Sequence, residues 1–228
     1  MKESKRLKLW RNRARREVLG LPQYSAAEEL VNALTHGAGA ALSAFGLVLL
    51  LLRCRRDALT VTSVSVFGGS MILLYLVSTL YHAMGVNRGK KVLRTLDHCT
   101  IFALIAGTYT PIALLCLGGA TGRFLFWLTW GAAAVGIVLN AVSVRRFRVF
   151  SMACYIGLGW VVIFFLGPLL ARLDGTSILF LFAGGAFYTA GAVLYGVGKK
   201  KKYVHSVWHL FVLAGSVFHY LVVYRIAV

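Results

Sequence analysis

The chain alternates between long apolar stretches and short runs of polar, mostly basic residues. Seven stretches are each about 20 residues long, enough for a helix to cross about 30 Å of hydrocarbon with its backbone hydrogen bonds satisfied. They are Asn32–Leu52, Thr62–Tyr81, Leu96–Leu117, Phe124–Val144, Phe150–Ala171, Ser177–Val197 and Val207–Ile226. The pattern predicts an all-α integral membrane protein, a bundle of seven transmembrane helices. Pro111 and Pro168 are expected to kink or locally open the third and fifth helices.

The basic residues between the spans predict how the bundle is oriented. Lysine and arginine concentrate in the N-terminal tail and in the connections after the second, fourth and sixth spans, the last of which contains Lys199–Lys202. The opposite connections contain fewer of them. Because basic connections stay on the cytoplasmic side, we expect the N-terminus in the cytoplasm and the C-terminus outside. Residues 1–28 then form a basic tail, either a surface helix or a mobile arm, and residues 29–228 form the membrane domain.

The composition agrees with this interpretation and excludes one class of partner. Of the 228 residues, 59% are hydrophobic, yet the net charge is +18. On a soluble protein such a charge would suggest nucleic acid, but here it lies in short runs between apolar segments, where it faces anionic lipid headgroups. We therefore expect membrane lipids, and no nucleic acid, as partners. The oligomeric state is not predicted.

Polar residues gather at one end of four predicted spans. Glu29, Asn32 and His36 are at the start of the first span, Ser78 and His82 are at the end of the second, Asp97 opens the third, and His205 and His209 open the seventh. In the predicted topology all of them lie at the cytoplasmic end of the membrane spans. We also expect every acidic residue that lies in or borders a span to be on this side. Ionisable residues at that depth mark functional sites.

The last of these groups has the spacing of a metal site. His205 and His209 are four residues apart and share one helix face. Two neutral imidazoles at this spacing can ligate zinc together. For the pair alone, the alternative is two ordinary histidines at the membrane interface.

Taken in order, the polar residues resemble the signature motifs of a known family. Glu29-x-x-Asn32-x-x-x-His36, Ser78-x-x-x-His82 followed by Asp97, and His205-x-x-x-His209 are similar to the three motifs of the progestin and adipoQ receptor superfamily. The short length and basic tail resemble its bacterial branch, the hemolysin III-related proteins. The resemblance implies a seven-helix bundle in the bacterial plasma (inner) membrane, unrelated to G-protein-coupled receptors, with a zinc ion near the cytoplasmic face. On that pattern His82, His205 and His209 are the ligands and Asp97 holds the zinc-bound water.

Two further histidines are interpreted as non-ligands. His98 stands where the family often has a tyrosine, and it points about 100° away from Asp97 on an ideal helix. His219 lies toward the outer half of the last span.

The expected chemistry is that of an open zinc site. Three histidines and a water are the arrangement of catalytic zinc, with Asp97 as general base and Ser78 as a hydrogen-bond donor. Glu29, Asn32 and His36 are expected to orient the ligands. Two alternatives stay open: His36 is a fourth ligand that closes the site, or the set is a structural zinc or polar clamp between four helices.

The resemblance implies three possible functions, of which the first two belong to membrane-lipid homeostasis. The first is an intramembrane zinc hydrolase of a lipid amide or ester, similar to the ceramidase-like reaction associated with adiponectin-receptor relatives. The second is a non-enzymatic homeostasis or sensing protein with structural zinc. The third is pore-forming haemolysis, which the hydrophobic spans and a tail unlike a secretion signal argue against. A receptor for a secreted hormone is disfavoured, because the outward connections are short.

Overall fold

The computed structural model describes residues 2–198 and 201–228 of the chain. Met1 lies outside the described residues, as do Lys199 and Lys200 of the predicted basic run. The described part of the chain is helical and contains no strand. Its helices are α1 (Lys2–Val18), α2 (Ala26–Arg53), α3 (Ala58–Ala83), α4 (Arg88–Pro111), a π-helix (Ile112–Leu117), α5 (Gly119–Ser143), α6 (Arg148–Gly159), a 3₁₀-helix (Val161–Phe165), α7 (Leu166–Leu170), α8 (Gly175–Gly198) and α9 (Val204–Ala227).

Seven helical segments of the described chain are long and apolar enough to cross a membrane, which confirms the predicted fold class. They are Ala26–Arg53, Ala58–Ala83, Arg88–Leu117, Gly119–Ser143, Arg148–Leu170, Gly175–Gly198 and Val204–Ala227. Every segment begins two or more residues before the predicted boundary. The third and fifth segments are composite, since α4 continues into the π-helix and α6 continues through the 3₁₀-helix into α7.

The early helix starts are explained by capping side chains. Ser25 and Glu28 form a capping box at the start of α2, each accepting a hydrogen bond from the other's backbone amide. The Asn87 side chain accepts from the Lys90 amide at 2.8 Å and so starts α4. The basic residues after Asn87, expected in a loop, therefore occupy the first turns of α4.

The expectation that acidic residues border spans at only one end is wrong. Asp57 precedes α3 and Asp174 precedes α8, both at the end opposite Glu29 and Asp97. The reason is helix capping: Asp57 accepts from the Thr60 amide at 2.8 Å and Asp174 from the Ser177 amide at 3.0 Å.

Both prolines lie where the helices change geometry, as predicted. Pro111 ends α4, and the π-helix after it closes with a hydrogen bond of 2.9 Å from the Gly118 amide to the Ala113 carbonyl. Pro168 lies in α7, just after the 3₁₀-helix. At that second break the Tyr109 hydroxyl donates to the Gly159 carbonyl (3.0 Å) and accepts from the Val162 amide (3.1 Å), which satisfies freed backbone groups.

The N-terminal tail forms a helix whose end contacts the bundle. Arg16 donates to the Pro22 carbonyl at 2.7 Å and to the Glu29 carboxylate at 2.8 Å. Arg94 of α4 donates to the Gly20 carbonyl at 2.8 Å, at a turn where Gly20 has a φ of +65°. The tail therefore covers the end of the bundle at which the polar motifs lie.

Candidate metal centre

Three histidine side chains converge between the last turn of α3 and the first turns of α9. The Nε2 atom of His205 lies 3.2 Å from that of His82 and 3.1 Å from that of His209. One ligand atom from each of the three lies within 4.8 Å of the others. His82 and His209 are buried. The fold thus brings His82 together with His205 and His209, which lie more than a hundred residues further along the chain.

The hydrogen-bond partners of Nδ1 in His82 and His209 show which ring nitrogen carries the proton. His82 Nδ1 lies 2.7 Å from Glu29 Oε2, and because a carboxylate accepts, the ring donates there. His209 Nδ1 lies 3.2 Å from Thr35 Oγ1, whose own proton goes to the Val31 carbonyl at 2.9 Å. Both rings therefore carry a proton on Nδ1 and present a lone pair at Nε2.

This donor set fits a metal ion. A proton on His205 Nε2 can satisfy only one of the two lone pairs that face it, whereas a divalent cation would satisfy all three nitrogens. Three neutral imidazoles are a ligand set that zinc prefers, and ligating histidines commonly donate their other N–H to a carboxylate or another oxygen. His205 Nδ1 has no hydrogen-bond partner among the described residues.

Glu29 links the histidines to two buried cations. Its Oε1 atom is 2.8 Å from Arg16 and 3.0 Å from Lys90, while Oε2 faces His82. The Lys90 ammonium also donates to the carbonyls of Tyr81 (2.7 Å) and Met84 (2.9 Å) at the end of α3. These bonds hold Glu29 ionised and aimed at the ring that it orients.

Asn32 and His36 contact the site in different ways. Asn32 Oδ1 accepts from the Ser206 hydroxyl at 2.5 Å, and its amide nitrogen lies 3.4 Å from His82 Nδ1. His36 stacks on His209 with ring centroids 3.5 Å apart and an interplanar angle of 12°. Neither ring nitrogen of His36 has a hydrogen-bond partner in the described chain, and His36 is not among the three converging ligands.

Asp97 and Ser78 are buried, and in the described part of the chain no hydrogen bond joins their side chains to His82, His205 or His209. Asp97 Oδ2 lies 3.8 Å from His98 Nδ1, and His98 Nδ1 donates to the Arg94 carbonyl at 2.9 Å. Ser78 Oγ has no hydrogen-bond partner among the described residues. Asp97 shares a cavity wall with His205, which leaves room for a molecule between them.

We call that space the narrow cavity; it has a volume of about 140 Å³ and is lined mainly by apolar side chains of α4, α6, α8 and α9. One end is formed by Asp97, Tyr195 and His205, and the other by Ile112, Leu181 and His219. On α9 the wall extends from His205 to His219, which at 1.5 Å per residue is about 21 Å. His219 Nε2 lies 3.2 Å from the Leu181 carbonyl, far along the helix from the three converging histidines.

Comparison with known proteins now decides the family. The family model described as haemolysin-III related matches residues 24–220. The chain belongs to the haemolysin-III related family. It is 42% identical over 191 residues to Hemolysin-3 of Bacillus cereus (83% of this chain, 87% of that protein) and 41% identical over 195 residues to the Hemolysin-3 homolog of Bacillus subtilis (85% and 91%). It is also 27% identical over 168 residues to the human monocyte to macrophage differentiation factor (70% and 68%).

These comparisons confirm the predicted resemblance and, with the seven helices, the location. This haemolysin-III related chain is a multi-pass protein of the bacterial plasma membrane. Which terminus faces the cytoplasm stays a prediction.

Several residues that contact the candidate site were missed by sequence reasoning. Arg16 and Lys90 read as ordinary basic residues near a membrane surface, and Ser206 reads as a spacer between two histidines. Tyr24 lies before the first helix, yet its ring stacks on that of His205 at 5.1 Å with an angle of 19°. Burial raises the pKa of Tyr24 well above its ordinary value, so it covers His205 as a neutral phenol.

Proposed function

We propose that this haemolysin-III related protein binds zinc through His82, His205 and His209 and hydrolyses an amide or ester bond of a membrane lipid. The observation that carries the proposal is the convergence of three imidazole nitrogens, one of which belongs to His205 on the wall of an apolar cavity. Zinc bound there would act as a Lewis acid on a carbonyl oxygen and lower the pKa of a water.

The chain's own residues suit the remaining roles. Asp97, on the cavity wall shared with His205, is the candidate base that takes a proton from the attacking water. Ser78 has a buried hydroxyl without a partner among the described residues and can donate to an oxygen of the substrate. Glu29 and Thr35 fix the rings of His82 and His209, so that these rings need no reorientation.

The shape of the narrow cavity favours a lipid as substrate. Its wall extends about 21 Å along α9, and most of the side chains between its two ends are leucine, isoleucine, valine or aromatic. An extended hydrocarbon chain would bury its apolar surface along this length. Its carbonyl end would then lie beside the histidines.

The test combines metal content and fatty-acid release on the same purified samples. Wild type is expected to hold one zinc per chain and to release fatty acid from a lipid amide. His209→Ala is expected to lose both, because its nitrogen is a ligand. Asp97→Ala is expected to keep zinc and the folded helix content but to lose hydrolysis; turnover in this variant would remove Asp97 from the role of base.

A non-enzymatic homeostasis protein with structural zinc is the second candidate. It is favoured by the bonds that join α2 to α3 and α9 around the histidines, since Glu29 contacts His82 and Asn32 contacts Ser206. Stoichiometric zinc without release of fatty acid from amides or esters would select this candidate. Absence of bound zinc after purification in zinc-containing buffer would contradict both.

A further inference from the structure

A second, wider depression opens beside the narrow cavity at the predicted cytoplasmic end. We call it the basic recess; its volume is about 970 Å³. Its wall combines the end of α1 and the connection to α2 with parts of α4, α6, α8 and α9. Six of its lining cations are Arg13, Arg94, Arg145, Arg148, Lys201 and Lys202.

These cations have no carboxylate partner among the ion pairs of the described residues. Arg16, which also lines the recess, is paired with Glu29. Glu28 is the acidic side chain among the described lining residues, and its oxygens already accept from Ser25 and from the Tyr203 amide at 3.1 Å. These six cations therefore outnumber the one carboxylate among the described lining residues, that of Glu28, and the excess of positive charge favours an anion from outside.

The recess and the narrow cavity share a wall. His98, Met152, Tyr155, Tyr195 and His205 line both. A molecule with a charged head and an apolar tail can thus place the head in the basic recess and the tail in the narrow cavity. The bond between them would then pass close to His205.

We propose that the basic recess binds the phosphate of an anionic lipid with a single acyl chain. Arginine is suited to this ligand, because its planar guanidinium can donate two parallel hydrogen bonds to phosphate oxygens. A cavity of about 140 Å³ that extends about 21 Å along α9 favours one acyl chain over two. The inference deepens the proposed function, on which the placement of the tail depends, by naming a substrate class that carries a phosphate.

The experiment measures binding rather than turnover, with a chelator present so that hydrolysis is prevented. Detergent-purified protein is titrated with radiolabelled lysophosphatidic acid and, separately, with monoacylglycerol of the same chain. The test variant is Arg145→Gln/Arg148→Gln, in which both changed residues line the recess. The control is Arg88→Gln/Arg146→Gln, which removes the same charge from exposed residues at the same end that are not in the recess wall.

We expect the test variant to bind lysophosphatidic acid about tenfold or more weakly, because two charge-assisted hydrogen bonds are lost. The control should stay within about twofold, and binding of monoacylglycerol should not change in either. Affinity for the anionic lipid should also fall as salt is raised. Equal binding of both lipids to wild type, or equal losses in test and control variants, would overturn the proposal.

Competition with glycerol 3-phosphate identifies the source of the phosphate. Failure to displace the lipid supports a lipid-borne phosphate whose tail contributes to binding, as proposed. Displacement at equal affinity would show that the recess takes a soluble phosphate ester, which overturns the lipid assignment. Because no step requires turnover, a protein that binds the anionic lipid but releases no fatty acid would contradict the hydrolase and leave this inference standing.

Discussion

Glu29 connects two buried cations to one of the candidate metal ligands, His82. It lies in the first turn of α2, receives Arg16 from the tail and Lys90 from α4, and orients His82 on α3. Breaking one partner of such a buried set leaves an uncompensated charge, which costs about 3–5 kcal/mol. The network should therefore affect both stability and metal affinity.

Lys90→Met tests this network. Lys90 is 1% exposed, and its ammonium donates to the carbonyls of Tyr81, His82 and Met84 at the end of α3. Its loss leaves those carbonyls without this donor and removes one of the two cations beside Glu29. We expect a fall of several degrees in the unfolding temperature in detergent and weaker zinc binding, by about 10–100-fold. Lys91→Met, an exposed neighbour, should change neither quantity. Equal melting of the two variants would show that Lys90 has no role in the network.

At this scale the sequence predicts the candidate metal ligands but not the residues that support them. The motifs Ser78-x-x-x-His82 and His205-x-x-x-His209 resemble those of a known family, and that resemblance is what predicts His82, His205 and His209 as the ligands. Arg16 and Lys90 could not be, because basic residues flank every membrane span and nothing in the sequence shows which ones turn inward. The His36 stack on His209 depends on the crossing of α2 and α9, which one sequence does not specify.

Among the elements, the π-helix after Pro111 determines how α4 meets α5. Gly118 turns the chain with a φ of +57°, and the first turn of α5 then runs against the Ala113 carbonyl, which accepts a hydrogen bond from the Gly118 amide. A Cβ atom at Gly122 would lie 2.0 Å from that oxygen. The segment therefore requires glycine for a close backbone approach.

Gly122→Ala should lower the unfolding temperature, because the added methyl would push α5 away from the π-helix at a cost of about 1–3 kcal/mol. Gly131→Ala is the matched control on the same helix, since a Cβ there meets nothing within 4 Å. The control should be neutral or slightly stabilising, because alanine favours helix over glycine. A Gly122→Ala protein as stable as the control would contradict the close approach.

A second contact between elements predicts a pH dependence. Asp174 accepts from Ser177 at the start of α8 and pairs with Arg225 in the last turn of α9; these interactions hold its pKa at about 2. A carboxyl whose folded pKa is lowered stabilises the fold above its unfolded pKa of about 4 and loses this effect as pH falls toward 2. The gap in unfolding temperature between wild type and Asp174→Asn should be constant from pH 8 to 5 and narrow below about pH 4. If the difference in unfolding temperature instead disappeared between pH 8 and 5, its pH dependence would come from a group other than Asp174.

The helices themselves were the most predictable level of this fold. Their number follows from apolar length alone, and both breaks follow from proline. Their starts did not follow, because Ser25, Asp57 and Asn87 read as loop residues but act as caps. As a result, Glu28 and Lys90 lie in the first turns of α2 and α4, next to the candidate site, and not in the connections before these helices.

For the whole molecule, the two ends differ in how their arginines are used. At the end opposite the histidines, Arg55 donates to the Ile226 carbonyl, Arg56 to the Leu51 carbonyl and Arg172 to the Cys116 carbonyl. Arg225 pairs with Asp174. Arg55 also pairs with Asp57, so two arginines at this end have a carboxylate partner. Among the cations that line the basic recess, Arg16 is the one with a carboxylate partner in the described ion pairs. The contrast in available charge between the ends is thus larger than a count of basic residues indicates.

That contrast leads to a prediction about orientation. Available cations resist transfer across the membrane and attract anionic headgroups of the inner leaflet, so the end with the histidines and the basic recess should face the cytoplasm. With an odd number of spans, the C-terminus should then be outside. A C-terminal alkaline phosphatase fusion should be active and a C-terminal green fluorescent protein fusion dark, with N-terminal fusions showing the reverse. A bright C-terminal fluorescent fusion would place the recess outside, where it could not draw an anionic lipid from the inner leaflet.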